Sequence, residues 1–207
     1  MALQHCEFSP REFLLFCDTF KELRRALRYS LRESRYCEEG SGKGRPALLS
    51  AWLARLHSEH SGLISDALDL CRTHILPYSP HPEVALLLDK TQADCLREQI
   101  EFSEPGARPP LLPLASALYL RTYEASKALS PVSVLRLEIA LNAYLFHCEV
   151  VQDRKRGLAI AKEAFDSAIP ELDNLPEDQY KEVTSLMGLL RDNLTLFTAD
   201  YSSSEES

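Results

Sequence analysis

Apolar positions recur along this chain at steps of three and four, almost never two. That is the period of helices with one buried face, and the alternation of a strand is nearly absent. The first stripe is Phe13, Phe16, Phe20, Leu23, Leu27 and Leu31. Ser9, Pro10 and Glu12 open it in the order of an N-cap, a first-position proline and a capping-box acid. A glycine-bearing loop over Glu38 to Arg45 is followed by a helix from about Pro46 into Leu76, with Ser61-Gly62 as the place where it would break. PYSPHP makes a rigid turn, and the next helix covers Glu83 to about Phe102. A proline-rich connector, Glu104 to Pro113, leads into a helix over Leu114 to about Leu129, stopped before Pro131. Two long amphipathic runs complete the pattern, LRLEIALNAYLFHCEV and LAIAKEAFDSAIPELDNLPEDQYKEVTSLMGLLRDNLTLFTAD, joined by a turn at 152–156. The predicted fold is all-α, about seven antiparallel helices in a single domain over residues 1–200. Residues 201–207 read as a disordered acidic tail.

The last two runs carry a second face beside the one that a core requires. Leu186, Leu189, Asn193 and Leu196 fall at steps of three, four and three, while Leu141, Asn142, Leu145 and Glu149 make a mixed polar and apolar face. Such faces suit an extended peptide, with leucines against its side chains and amides on its backbone.

Composition narrows the class. A formal charge of −8 over 207 residues argues against a general binder of nucleic acid or anionic membrane, because the net field repels polyanions. No run of apolar residues is long enough to span a bilayer, and MALQHCEFSPREF lacks the basic start and apolar core of a signal peptide. A cytoplasmic protein, with access to the nucleus, is the expectation.

Catalytic chemistry finds no footing in the pattern. The six cysteines stand at least eleven residues apart, so a CxxC metal or redox motif is absent, and they read as buried or half-buried thiols. GSGKGR lacks the spacing and the preceding strand of a phosphate-binding loop, and His57, Glu59 and His60 read as surface residues, not zinc ligands. His147, Cys148 and Glu149 are consecutive on a helix and fan apart. Neither an enzyme nor a cofactor or metal is expected.

One charge pattern stands out. Lys21, Arg25, Arg28, Arg32 and Arg35 line the first helix at steps of four, three, four and three. A solvated face partnered by acidic residues explains it, and so does an anion site, since guanidinium groups grip phosphate bidentately.

The strings LRLEIALNAYLFHCE, AIAKEAFDSAIPELDNL and above all LLRDNLTLFTAD resemble the last helices of the 14-3-3 proteins. YLRTYEASKALSP is similar to the family's preceding helix, and SDALDLCRTHILP, DCLRE and ELRRALRYSLRES extend the likeness upstream. The resemblance implies a curved helical array with a concave groove, a non-enzymatic adaptor binding phosphoserine or phosphothreonine peptides of client proteins in signalling. It implies that Arg25 and Arg97 hold the phosphate, with Lys90 in support, and that Asn142 and Asn193 bond the peptide backbone. Glu149 matches a family acid beside them, and Leu141, Leu145, Leu186 and Leu189 match the apolar groove wall.

The departures from the family pattern are as informative. Glu98 replaces the tyrosine beside the second arginine, and Asp18 stands where a phosphate-binding lysine is expected. A carboxylate about 5 Å from a phosphate costs about 3 kcal/mol at an effective dielectric near 20, or about two decades of affinity. Glu138 replaces a glycine, and Pro170 sits inside a family helix, which it should kink or end. Only about a dozen residues precede the first recognisable helix, whereas the family begins with two further helices that make its dimer. Dimerisation by the usual surface is therefore doubtful, and a monomer or a different dimer is the expectation. The alternative function is a degenerate scaffold of the same shape that binds unphosphorylated or acidic segments.

Overall fold

The computed structural model describes residues 9–40, 47–79, 81–103, 106 and 108–204, without the side chains of 35, 38–40 and 196–204. Among the described residues there are seven α-helices and no strand. They are α1 (Pro10–Gly40), α2 (Ala47–Leu70), α3 (Pro82–Phe102), α4 (Leu111–Ser126), α5 (Val134–Leu145), α6 (Arg154–Ala168) and α7 (Glu177–Ser204). Among the described residues no helix is long and apolar enough to cross a membrane.

The chain divides into two compact units, Met1–Cys95 and Leu96–Ser207, with the boundary inside α3. The first is built on α1 packed against α2. The capping box that opens α1 is complete: Ser9 N and Oγ donate to Glu12 Oε2 at 2.9 and 2.7 Å, and Glu12 N donates to Ser9 Oγ at 3.3 Å. Phe20, Ile64, Ala67 and Cys95 form a buried cluster, flanked by Phe16, Leu63 and Leu68. Burying each large apolar side chain contributes about 1.5–3 kcal/mol. That exceeds the ~1 kcal/mol cost of a helical glycine, so α2 runs unbroken through Gly62, where a break was predicted.

The predicted stripe of α1 needs one correction. Phe13, Phe20 and Leu31 are buried, but Leu23 is 52% exposed and Arg24 takes the inner place at 4%. Steps of seven, four and seven carry 13, 20, 24 and 31 along the same face as directly as the leucine route does. Arg24 belongs there because its guanidinium lies 4.7 Å over the Phe20 ring and donates to Cys95 Sγ at 3.3 Å. His60 is likewise buried, against the surface reading, because it shares the inner face of α2 with Leu53, Leu56, Ile64 and Ala67. Cys37 is exposed on the last turns of α1, whereas Cys71, Cys95 and Cys148 are buried. Cys6 and residues 41–46 of the glycine-bearing loop lie outside the described residues, and Glu38–Gly40 end α1.

The second unit is organised around α5, which packs against α4, α6 and α7. Leu137, Ala140 and Ala143 have no exposed surface, so three helices meet it closely. Arg136 fixes the α4–α5 connection by donating to the carbonyls of Lys127 and Leu129 and to Ser167 Oγ on α6. Lys127 Nζ bridges Glu124 and Glu163 at 3.0 and 2.8 Å, and Tyr123 donates to Glu163 at 2.9 Å. The Lys127 bond holds the Glu163 carboxyl below the usual range. α4 starts at Leu111, earlier than predicted, because a proline at its third position, Pro113, costs no internal hydrogen bond. Pro170 acts as predicted: α6 gives way to a 3₁₀ turn over Ile169–Asn174. α7 continues to Ser204, into the stretch read as a disordered tail, since serine carries only a modest helix penalty; 205–207 lie outside the described residues.

Candidate functional site

The sequence-predicted peptide wall lies in the second unit, on α5 and α7. Helix α5 starts after Ser133, whose carbonyl accepts from Leu137 N at 3.0 Å. Its inner face is Leu137, Ile139, Ala140, Ala143 and Tyr144, all buried. Glu138, Leu141, Asn142 and Leu145 lie off that face and are half-buried. On α7 the inner face is Val183, Met187 and Leu190 at steps of four and three. Leu186 and Asn193, one position off that stripe, are half-buried, and Leu189 is 48% exposed. Each helix thus carries, beside its buried face, a stripe of leucines and an asparagine that is only partly covered. Asn193 Nδ2 donates to the Leu189 carbonyl at 2.7 Å, which fixes the amide and leaves its oxygen for a donor outside the helix.

α5 does not end at a cap but widens into a π-turn over Phe146–Val151, which presents Glu149 to solvent. Gln152 then turns the chain at φ 63°, in the left-handed region, and donates from Nε2 to the Glu149 carbonyl at 2.7 Å. Asp153 closes the turn: its N donates to the His147 carbonyl at 2.8 Å and its Oδ1 accepts from Arg156 N at 3.1 Å, capping α6. His147 points inward with no exposed surface, and neither of its ring nitrogens has a hydrogen-bond partner. Burial, with the Arg156 charge adding to it, pushes its pKa down. Burial also pushes the neighbouring Tyr144 hydroxyl up to about 12. As predicted, His147, Cys148 and Glu149 do not converge: the first two are buried and the third is exposed.

Between α5 and α7 a cleft of about 420 Å³ opens, lined by Glu138, Asp178, Lys181, Glu182, Ser185 and Leu186. Only Leu186 among these was assigned to the wall from sequence. The polar positions carried a signal that could have been read, since Asp178, Lys181 or Glu182, and Ser185 recur at helical steps ahead of the leucines.

The cationic candidates are divided between the units. In the first, Arg25 is exposed and meets Glu22 Oε1 at 3.6 Å on its own helix, an i,i+3 pair. Lys21 and Arg32 are exposed and Arg28 half-buried; the Arg35 side chain is outside the described set. Lys90 is largely buried and pairs with Asp94 at 3.6 Å. Asp18 is exposed. In the second unit Arg97 is half-buried, and the neighbouring Glu98 is buried, with 3% exposure.

Comparison with known proteins gives a consistent answer. The family model described as 14-3-3 protein matches residues 1–198. The chain is 34% identical to 14-3-3 protein 2 of Entamoeba histolytica over 161 residues, 78% of this chain and 68% of that one. It is 33% identical to 14-3-3 protein zeta of Bombyx mori over 198 residues, 94% of this chain and 80% of that protein. Against the 14-3-3-like protein GF14-12 of Zea mays it is 35% identical over 167 residues, 80% of this chain but 64% of the maize protein. With several of these relatives, then, the match spans about two thirds of the relative's own length.

Proposed function

The chain belongs to the 14-3-3 family, whose members are non-enzymatic adaptors, and from that premise we propose that it binds phosphoserine or phosphothreonine peptides of client proteins. The observation that carries this reading is the outward stripe of α5 and α7. Leu141, Leu145, Leu186 and Leu189 stand half-buried or exposed beside Asn142 and Asn193, off the fully buried faces of the two helices. Apolar side chains left partly at a surface next to two amides, that of Asn193 held by its Leu189 bond, suit an extended peptide, whose side chains need apolar contact and whose backbone needs hydrogen bonds. By the family likeness Arg25 and Arg97 hold the phosphate with Lys90 in support, and Glu149 borders the peptide backbone.

The affinity is weakened relative to a full phosphate grip. Lys90 already neutralises Asp94, and Arg25 is shared with Glu22. Asp18 adds an exposed carboxylate, which solvent screens, and Glu98 stands buried where the family likeness places a tyrosine. These same acids favour a second reading, in which the chain binds unphosphorylated segments. Titrating one phosphoserine peptide and its unphosphorylated twin separates the two. Tighter binding of the phosphorylated form supports the first reading; equal affinity leaves only the second.

A further inference from the structure

The cleft between α5 and α7 has a composition that the peptide wall alone does not call for. Glu138 stands on one side, and Asp178, Glu182, Lys181 and Ser185 stand on the other over one face of α7. With all groups ionised the lining carries a net charge of minus two, and Leu186 adds an apolar surface. We propose that this cleft takes a lysine or arginine side chain of the bound peptide, its methylene stem against Leu186 and its charged head among Glu138, Asp178 and Glu182. The proposal deepens the phosphopeptide reading and rests on it for the peptide's course along the wall.

Three observations select that occupant. The volume of about 420 Å³ falls within the range of ligand clefts, room enough for a side chain and the backbone that carries it. Among the described residues no group of three or more acidic, histidine or cysteine side chains is placed to hold a metal ion. The three carboxylates border the cleft from two helices, Glu138 from α5 and Asp178 and Glu182 from α7. A diffuse negative rim over an apolar surface matches a long amphipathic cation, which keeps its stem on carbon and its head on oxygen. A phosphate would be repelled from this lining, so the cleft and the phosphate must engage different residues of one peptide. Leu186 belongs to the cleft and to the wall at once, which makes the two surfaces continuous.

The test uses the full chain and a phosphoserine peptide with otherwise uncharged side chains, in which one lysine is moved through successive positions and norleucine serves as the neutral control. At one position lysine should bind about fivefold tighter than norleucine, equivalent to about 1 kcal/mol, the scale of a partly exposed ion pair. High salt should reduce that ratio. The doubly substituted Glu138→Gln, Glu182→Gln chain should bring the ratio close to one, whereas Lys181→Gln, at an exposed position, should raise it. Lysine without effect at every position, while phosphate still tightens binding, overturns the cleft assignment alone. A lysine preference kept in the unphosphorylated peptide, with phosphate adding nothing, overturns the phosphopeptide reading alone. Failure of every peptide to bind overturns both.

Discussion

Gly157 is the fourth residue of α6, and helix propensity alone predicts that alanine there stabilises the protein by up to about 1 kcal/mol. The packing predicts the opposite. A Cβ at Gly157 would sit 2.3 Å from Cys148 Sγ and 3.1 Å from the Tyr144 carbonyl oxygen. The first distance is far inside van der Waals contact, and the second leaves the backbone of α5 little room to accept a compromise. Overpacking of this kind costs about 1–3 kcal/mol. Cys148 has one rotatable bond and is 6% exposed, so its sulfur has few places to go. Set against the propensity gain, Gly157→Ala should destabilise the second unit by about 1–2 kcal/mol, a fall of several degrees in its melting temperature. Cys148→Ala removes the closest atom, at a cost of about 1 kcal/mol for the lost buried sulfur. The double variant should therefore be less destabilised than the sum of the singles by about 1 kcal/mol. Denaturant melts of the four chains, followed by circular dichroism, measure this directly. A neutral or stabilising Gly157→Ala, or strict additivity in the cycle, would refute the close approach of α6 to the π-turn that presents Glu149.

Two further predictions concern buried polar groups. His147 has a pKa below its ordinary 6.5, so the folded chain binds its proton less readily than the unfolded one. Stability from this residue is unimpaired above pH 6.5 and falls as pH drops below it, by up to about 1.4 kcal/mol per pH unit until the folded state also takes the proton. His147→Phe should flatten that acid limb and, by removing two unpartnered buried nitrogens, stabilise the protein at neutral pH by about 1–3 kcal/mol; an unchanged acid limb would sink the argument. If Glu98 borders the phosphate as the family likeness implies, Glu98→Gln should tighten phosphoserine-peptide binding by up to about tenfold, within the ~3 kcal/mol ceiling for such a pair, while leaving the unphosphorylated twin unaffected. Equal gains for both peptides would show that Glu98 does not oppose the phosphate.

Much of the fold was legible because each helix carries local signals of its own. Ser9 and Glu12 announced the start of α1, and Pro170 the end of α6. What was not legible depends on contacts distant in sequence. Arg24 and Leu23 fit the stripe of α1 about equally well, and only the Phe20 ring and the Cys95 thiol decide that the arginine goes inside. His60 shares a helical face with four apolar residues, yet its polarity made it read as surface. The π-turn at the end of α5 has no composition that marks it, because FHCEVV continues the apolar pattern of the helix before it. The partly covered leucines and amides of α5 and α7 were visible at helical spacing. The cleft beside them was not, since it needs Glu138 from α5 opposite an acidic turn of α7, and no single stretch contains both.

The proposed phosphate roles of Arg25 and of Arg97 are tested most directly by the affinity difference between a phosphoserine peptide and its unphosphorylated twin in three chains. In the unaltered protein the phosphorylated peptide should bind more tightly. In Arg25→Glu and in Arg97→Glu that difference should vanish, while the weak binding of the unphosphorylated twin along Leu186, Leu189 and Asn193 persists. The same difference surviving in both variants, or no difference in the unaltered chain, would contradict the account.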